Sequence, residues 1–334
     1  MESKKNFQDI ILNAPKQLTS DPEFINHLNI SHRQFNKILL CGLGGSALAG
    51  EIFFTLKNKN FSPFNINLPF FIHRSYDLPQ DTDERTLVII VSYSGNTEET
   101  ISAYESAKKK DLEIAGIVSN GKLADLFTQD GTPWVKIPDP NLPPRCSLGY
   151  QLVALVKIMM AYGILPPYSQ KELSETANKI IPEKLETTAQ QIAEKIAGKI
   201  PLIYASEENR ALARIWKIKI NENAKTPSFW NVFPELNHNE MVGWSKKYNY
   251  LPFVFLFLID DNDFPRIKKR QELTFNLLKE EGWPTEKIIL YGENPLEKIF
   301  WALTLSDWVS YFLALKFNID PAPVDIVEKF KKLL

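Results

Sequence analysis

The sequence predicts an α/β protein with two related domains, each containing a parallel sheet covered by helices on both faces. Short, continuously apolar segments alternate with segments of helical periodicity, a pattern typical of buried parallel strands. The same order of elements occurs twice along the chain, which indicates a repeat of topology. The length of 334 residues also exceeds the size at which a single hydrophobic core stops growing.

The first half of the sequence contains four apolar segments that we interpret as strands. The first ends in the turn Cys41-Gly42-Leu43-Gly44-Gly45-Ser46, the third leads into Ser92-Tyr93-Ser94-Gly95-Asn96-Thr97, and a helical pattern follows each turn. An apolar helix over Leu148–Ala161 comes after the proline-rich stretch 138–144 and closes a first domain, which we place at residues 1–165. The predicted strands cover residues 37–40, 70–72, 87–91 and 114–118.

The second domain is predicted at residues 166–334 and begins with charged connecting helices over residues 169–199. Strands and helices then alternate, and a long apolar helix closes the set as in the first half. The first turn of this copy, Ala205-Ser206-Glu207-Glu208-Asn209, lacks the glycines of its counterpart. The predicted strands cover residues 200–204, 253–259 and 288–291, and the helices cover residues 209–221, 264–281 and 296–317.

The composition argues against nucleic acid and membranes as partners. The chain carries 39 Lys and Arg against 40 Asp and Glu, a formal net charge of −1, so it has no basic footprint for a phosphate backbone or an anionic bilayer. Its longest apolar stretch, 251–259, is far short of the roughly 20 residues that span a membrane, and no signal peptide is recognisable. The two isolated cysteines, Cys41 and Cys146, indicate a reducing compartment. We therefore predict a soluble, cytoplasmic protein.

A hydroxyl-rich turn after the third predicted strand is the strongest local signal for a binding site. Ser92, Ser94 and Thr97 fall within one turn, and Gly95 allows close approach of the backbone. The helix that follows points its first N–H groups at whatever this turn binds. Because the turn has no neighbouring Lys-Ser or Lys-Thr pair, a single monoester phosphate is favoured over a nucleotide.

Helix capping is the structural alternative for the same turn. Asn96 followed three residues later by Glu99 resembles a capping box, and Ser and Thr commonly precede helices. The sequence leaves both interpretations open.

The glycine-rich turn at residues 42–47 fits a Gly-x-Gly-x-x-Ala dinucleotide fingerprint between a strand and a helix. That fingerprint expects an acidic residue about 20 positions later for a ribose hydroxyl, whereas residues 61–71 contain none and the next strand ends in His73-Arg74. NAD is therefore disfavoured. Gly44 and Gly45 would equally let the backbone pass close to a sugar.

His238 and Arg145 are candidate catalytic side chains, and each has a structural alternative. His238 lies in the polar segment at residues 235–240, inside an aromatic neighbourhood, and a lone histidine is more often structural than catalytic. No second histidine stands at ligand spacing, so a zinc site is disfavoured. Two prolines precede Arg145 just before a helix, and its alternative is an ordinary surface salt bridge.

Four segments carry a family resemblance: Gly42-Leu43-Gly44-Gly45-Ser46; Ser92-Tyr93-Ser94-Gly95-Asn96-Thr97-Glu98-Glu99-Thr100; Pro143-Pro144-Arg145 with Leu148-Gly149-Tyr150; and Asn221-Glu222-Asn223-Ala224-Lys225 with Glu235-Leu236-Asn237-His238-Asn239-Glu240. Together they resemble the bifunctional phosphoglucose/phosphomannose isomerases over nearly the whole chain. The resemblance implies two flavodoxin-like sugar isomerase (SIS) domains in tandem, a homodimer, no metal and no cofactor. The implied reaction interconverts glucose 6-phosphate, and mannose 6-phosphate, with fructose 6-phosphate through a cis-enediol.

The resemblance also implies roles for particular side chains. Glu222 would be the base that moves a proton between C1 and C2 of the open-chain sugar, and His238 would open the ring. Arg145 would steady the enediol, as a cation facing a developing oxyanion must. The sugar phosphate would be held by Ser46, Ser92, Ser94 and Thr97.

The C-terminal helix of the family supplies a lysine for ring opening or for the hydroxyl network. Lys329 is the best match in this sequence, and Lys331 is the alternative. A threonine usually precedes the tail proline in the family, whereas Ala322 precedes Pro323 here. This departure bears on the use of the mannose epimer.

Two other function classes are alternatives. A non-catalytic sugar-phosphate-binding SIS regulator would use the serine turn without turnover, but residues 1–33 are too short and insufficiently basic for the DNA-binding module that regulators often carry. A nicotinamide-dependent oxidoreductase is the other, and the missing acidic residue already disfavours it.

Overall fold

The computed structural model describes residues 2–30, 33–59, 62–138, 142–331 and 333, so the proline-rich stretch predicted at 138–144 lies partly outside the described residues. The described chain forms two compact units. We call them the N-terminal unit (Asn13–Lys179) and the C-terminal unit (Met1–Leu12 together with Ile180–Leu334). Helix α1 (Glu2–Asn13) begins in the C-terminal unit.

The described residues of the N-terminal unit form a six-stranded sheet in the order β1-β6-β5-β4-β2-β3. All neighbours are parallel except the edge pair β1 and β6, and the parallel part has the flavodoxin-like order. The elements are β1 (Glu23–Ile25), β2 (Lys37–Cys41), α2 (Leu48–Asn58), β3 (Phe70–His73), β4 (Thr86–Ser92), α3 (Glu98–Lys109), β5 (Glu113–Val118), α4 (Lys122–Gln129), β6 (Trp134–Lys136), α5 (Leu148–Ala161) and α6 (Ser169–Lys179).

The predicted strands of this unit are confirmed, and all of them except the edge strand β3 lie inside the sheet. Strand β4 is buried at every residue, as its continuous apolar sequence indicates. The predicted helix α5 has the bounds read from its periodicity. The edge strand β1 and its neighbour β6, each three residues long, were not predicted.

The C-terminal unit repeats the topology of the first sheet with parallel strands alone. Its described strands follow the order β10-β9-β7-β8, and every neighbouring pair is parallel. The predicted α/β class and the internal repeat of topology are therefore confirmed. The elements are α7 (Glu186–Ile196), β7 (Ile200–Ser206), α8 (Arg210–Ala224), β8 (Phe229–Phe233), β9 (Phe253–Ile259), α9 (Pro265–Glu280), β10 (Thr285–Ile289), α10 (Pro295–Lys316) and α11 (Asp325–Lys331).

The boundary between the units differs from the one predicted at residue 165. Helix α6 packs on α5 and on the 3₁₀ turn Ala14–Thr19, so it belongs to the N-terminal unit. Residues 1–12 belong instead to the C-terminal unit, where Phe7 stacks on Tyr311 with ring centroids 6.1 Å apart. Both differences arise from contacts between distant parts of the sequence, which periodicity does not report.

Candidate active site

The candidate site of the N-terminal unit lies at the carboxyl ends of β2 and β4, where the strand order reverses. Such switch points are the usual ligand sites of open α/β sheets. Strand β2 leads into the 3₁₀ turn Gly44–Ala47, and β4 leads into the predicted hydroxyl-rich turn. The two turns are joined directly, because the Ser46 hydroxyl accepts a hydrogen bond from the backbone N–H of Tyr93 at 2.9 Å.

The hydroxyl-rich turn is shaped by bonds among its own residues. The Ser92 hydroxyl accepts from the Gly95 N–H at 3.2 Å and donates to the Thr97 hydroxyl at 3.2 Å. The exposed Ser94 hydroxyl accepts from the Asn96 N–H at 3.4 Å. Gly95 has φ of +69°, and a Cβ there would lie 1.9 Å from the Asn120 carbonyl oxygen. The structure thus brings the three predicted hydroxyls together at the start of α3.

The capping-box interpretation of this turn is wrong. Helix α3 begins at Glu98, with Thr97 rather than Asn96 in the N-cap position. The Asn96 side chain accepts a hydrogen bond from the backbone N–H of Lys122 at 2.9 Å. Asn96 therefore joins the turn to the start of α4 instead of capping α3.

Arg145 lies in a 3₁₀ turn, Pro144–Cys146, and is only 2% exposed. The alternative of a surface salt bridge is therefore wrong. A Cβ on Gly45 would lie 2.8 Å from both the Arg145 nitrogen and the Pro144 carbonyl carbon, so glycine is what allows the glycine-rich turn and the arginine turn to touch. The backbone of Arg145 therefore lies beside the glycine-rich turn that carries Ser46.

Two buried glutamines that the sequence analysis missed form hydrogen bonds with the arginine turn and the start of α5. Gln17 donates to the Cys146 carbonyl at 2.7 Å and accepts from the Gly149 N–H at 3.0 Å. Gln151 donates to the Pro144 carbonyl at 3.1 Å. Because Gln17 is 129 residues from Cys146 in sequence, no local pattern could have indicated this contact.

Cys41 ends strand β2 next to the glycine-rich turn and is 1% exposed. Burial raises the pKa of the Cys41 thiol to about 12, because a thiolate would lose its hydration. We expect the native protein to resist alkylation of Cys41 by iodoacetamide at about pH 8, and the chain to react after denaturation. Mass spectrometry of the labelled peptide measures this, and equal labelling rates in both states would contradict it.

The same raised pKa predicts how Cys41 contributes to stability. The folded state retains the thiol proton at pH values where the unfolded chain, with a thiol pKa of about 8.5, loses it. The contribution of Cys41 is therefore complete below that pH and declines as the pH rises above it.

The predicted catalytic residues of the C-terminal unit stand on three different elements. Glu222 is half-buried in the last turn of α8. His238 is exposed and ends the 3₁₀ turn Glu235–His238, which follows β8. Lys329 is exposed on α11, and the alternative Lys331 forms an ion pair with Glu328 at 2.8 Å.

The segment around His238 is anchored by Glu240. Its carboxylate accepts hydrogen bonds from the Tyr204 hydroxyl and the Asn231 side chain. Burial, followed by the charge of Glu240, raises the pKa of Tyr204 above its ordinary value, so Tyr204 stays a neutral donor. Tyr204 lies on β7, and the sequence offered no signal for this contact.

Comparison with known proteins bears on both units. Residues 185–334 match the family model described as the bacterial phospho-glucose isomerase C-terminal SIS domain. A bifunctional phosphoglucose/phosphomannose isomerase of Caldicellulosiruptor bescii is 34% identical over 336 residues, covering 97% of each chain. The corresponding enzyme of Aquifex aeolicus is 35% identical over 305 residues, covering 90% of this chain and 91% of that one. The chain belongs to the bifunctional phosphoglucose/phosphomannose isomerase family.

Family membership confirms the resemblance inferred from the four motifs. It also confirms the tandem SIS fold. A hypothetical protein of Thermus thermophilus superposes with a TM-score of 0.72 at 17% identity, covering 99% of this chain and 89% of that one. At 17% identity this similarity shows the fold alone. Within the described part of the chain, no helix is both long and apolar enough to cross a bilayer.

The geometry also bears on the nicotinamide alternative. In a dinucleotide-binding fold an acid at the end of the second strand holds the ribose, whereas β3 ends at His73 and is followed by Arg74. The Arg74 guanidinium forms an ion pair with Glu51 on α2. Glu51 is therefore paired with Arg74 and does not stand where an acid would hold the ribose. This arrangement disfavours the nicotinamide alternative.

The corresponding edge of the second sheet holds a different set of side chains. Asn209 donates to Ser206 at 3.0 Å and to Asp263 at 3.1 Å. Asp260, at the end of β9, forms a buried ion pair with Lys298 at 2.6 Å. Where the N-terminal unit has hydroxyls and glycines, the C-terminal unit has carboxylates bonded to their neighbours. Among the described residues, no cluster of three or more His, Cys, Asp and Glu is arranged to hold a metal ion.

Proposed function

We propose that this chain interconverts glucose 6-phosphate, and mannose 6-phosphate, with fructose 6-phosphate through a cis-enediol. One observation carries the proposal: the glycine-rich turn touches both the hydroxyl-rich turn, through the bond from Tyr93 to Ser46, and the backbone of Arg145. The hydroxyls proposed for the phosphate and the turn that carries Arg145 are therefore linked through the glycine-rich turn, which supports a role for this cation at the developing oxyanion. Family membership supports the same reaction.

The phosphate is assigned to Ser46, Ser92, Ser94 and Thr97, with the N-terminus of α3 behind them. Hydroxyls donate to phosphate oxygens, and a helix N-terminus favours a negative charge. Gly44 and Gly45 let the backbone approach the sugar. Because a phosphate held here is distant from C1 and C2, its binding orients the reacting carbons as well as adding affinity.

Proton transfer is assigned to Glu222, and stabilisation of the enediol to Arg145. Moving a hydrogen between C1 and C2 requires a base beside the carbonyl and a positive charge at the oxyanion. Glu222 is half-buried, and Arg145 is fixed by its turn. We assign ring opening to His238, assisted by Lys329.

We further propose a homodimer in the cytoplasm that binds neither nucleic acid nor membrane. Large apolar side chains are exposed on the segment that contains His238, with Val242 exposed by 83% and Tyr250 by 76%, as an interface between subunits would require. Both cysteines are buried thiols, which suits a reducing compartment. Ala322 at the tail leads us to expect slower turnover of mannose 6-phosphate than of glucose 6-phosphate.

A coupled assay for fructose 6-phosphate tests the proposal. The purified chain, treated with a metal chelator, should convert both sugar phosphates. Saturable binding without turnover would favour the SIS regulator instead. A change in nicotinamide absorbance on mixing with NAD and a sugar phosphate would favour the oxidoreductase.

Ser94→Ala should lower kcat/KM for glucose 6-phosphate by about 10- to 100-fold. A hydrogen bond to a charged group contributes roughly 1.5–3 kcal/mol, and each 1.4 kcal/mol is about tenfold. Ser94 is exposed and has one weak internal bond, so Tm should not change. Ser174→Ala, on α6 of the same unit, is the matched control. Unchanged kcat/KM, or an unchanged inhibition constant for inorganic phosphate, would contradict the assignment.

A further inference from the structure

Lys225 ends helix α8 in an unusual conformation and binds two carbonyl groups. Its backbone is left-handed, with φ 51° and ψ 30°, a region that glycine or asparagine normally occupies at a helix end. The Lys225 ammonium donates to the Glu222 carbonyl at 2.5 Å and to the Pro321 carbonyl at 3.2 Å. One side chain thus connects the end of α8 to a segment 96 residues later.

The segment that Lys225 binds leads directly into helix α11. The Asp320 carboxylate accepts from the Ala322 N–H at 2.9 Å, which turns the chain immediately after Pro321. Helix α11 then begins at Asp325 and carries Lys329. The contact at Pro321 therefore joins the segment that leads into α11 to the helix end that carries Glu222.

We propose that Lys225 is a positioning residue for the isomerisation, which fixes the C-terminal tail bearing Lys329 to the end of α8 bearing Glu222. The inference rests on the proposed function, in which these two side chains act on the sugar. Catalytic groups must be held in a productive geometry, and a displacement of about 1 Å can cost 10²-fold in rate. Lys225 itself need not touch the substrate.

A simple helix cap would not account for this arrangement. Lysine commonly binds the last carbonyls of a helix, and Lys199 does so at the end of α7, where it donates to the Lys195 carbonyl at 2.9 Å. Lys225 differs because its second acceptor belongs to the tail. The left-handed backbone also disfavours a side chain at this position, so the lysine adopts this conformation at a local conformational cost.

The test compares Lys225→Gly and Lys225→Asn with Lys225→Arg and with the control Lys199→Asn. Gly and Asn adopt the left-handed conformation readily, so the helix end and Tm should be preserved while the tail contact is lost. We expect kcat for glucose 6-phosphate to fall about tenfold or more with little change in KM. Deuterium exchange of amides 322–331 should accelerate. Lys225→Arg, which can donate to two carbonyls, and Lys199→Asn should retain most of the activity.

A second measurement separates positioning from a general loss of structure. In a Lys329→Ala background, Lys225→Asn should lower kcat no further, because the tail it positions no longer carries the lysine. The inference is overturned if Lys225→Gly and Lys225→Asn both keep the wild-type kcat. It is also overturned if Lys225→Asn lowers kcat equally with and without Lys329→Ala, or if the loss of kcat follows a loss of Tm. A wild-type chain that converts neither sugar phosphate contradicts the proposed function instead.

Discussion

Replacing Glu222 by glutamine is expected to lower kcat for glucose 6-phosphate by roughly 10²–10⁴-fold, the usual contribution of a positioned general base. The amide has nearly the shape of the carboxylate but cannot accept the proton from the sugar carbon. Binding of the phosphate involves other residues, so KM should change much less than kcat. Steady-state assays of fructose 6-phosphate formation measure both quantities.

Solvent exchange distinguishes a lost base from a disturbed helix. If Glu222 carries the proton, the wild-type enzyme run in deuterium oxide should incorporate deuterium at C1 of fructose 6-phosphate, and Glu222→Gln should slow incorporation and turnover together. Glu194→Gln, an exposed change on α7, is the matched control. Full activity of Glu222→Gln would remove Glu222 from the mechanism and leave the family reaction to be explained by another base.

The fold could be predicted wherever a strand is buried on both faces. Strand β9 is continuously apolar, and its bounds agree with the prediction. Strand β8, an edge strand, was missed because Asn231 interrupts its apolar sequence. Strand β10 was placed three residues too late, since its first half, Thr285 to Lys287, is polar and half-buried. Edge strands need fewer apolar residues, so an apolar-run criterion underestimates them.

The candidate site could be predicted where its residues are contiguous. Ser92, Ser94 and Thr97 share one turn, and a short motif contains all of them. The contacts that support the site are long-range: Gln17 to Cys146, Tyr204 to Glu240 and Lys225 to Pro321. Hydrogen bonds of this kind depend on the folded path of the chain and produce no periodicity in the sequence.

The two sheets show how one topology can carry two different switch points. The loops after β2 and β4 in the N-terminal unit expose hydroxyls and backbone beside Arg145. The loop after β9 in the C-terminal unit instead carries Asp260 and Asp263, which are bonded to Lys298 and to Asn209. The sequence signalled this difference through the missing glycines at 205–209. It did not signal that Lys298, 38 residues after Asp260, would neutralise the carboxylate.

Lys298→Met should lower the free energy of unfolding by roughly 3–5 kcal/mol, because it leaves the Asp260 carboxylate buried without its cation. Asp260 is 1% exposed and its ammonium partner is 2.6 Å away. Lys195→Met is the matched control, because Lys195 pairs with Glu286 at the same distance of 2.6 Å. The Lys195 side chain is 56% exposed, and such exposed pairs contribute about 0–1 kcal/mol.

Denaturation followed by tryptophan fluorescence measures the free energy of unfolding of both variants. Adding Asp260→Asn to Lys298→Met should restore part of the loss, since the uncompensated charge is removed. If Lys298→Met and Lys195→Met cost the same, the buried pair does not stabilise the C-terminal unit.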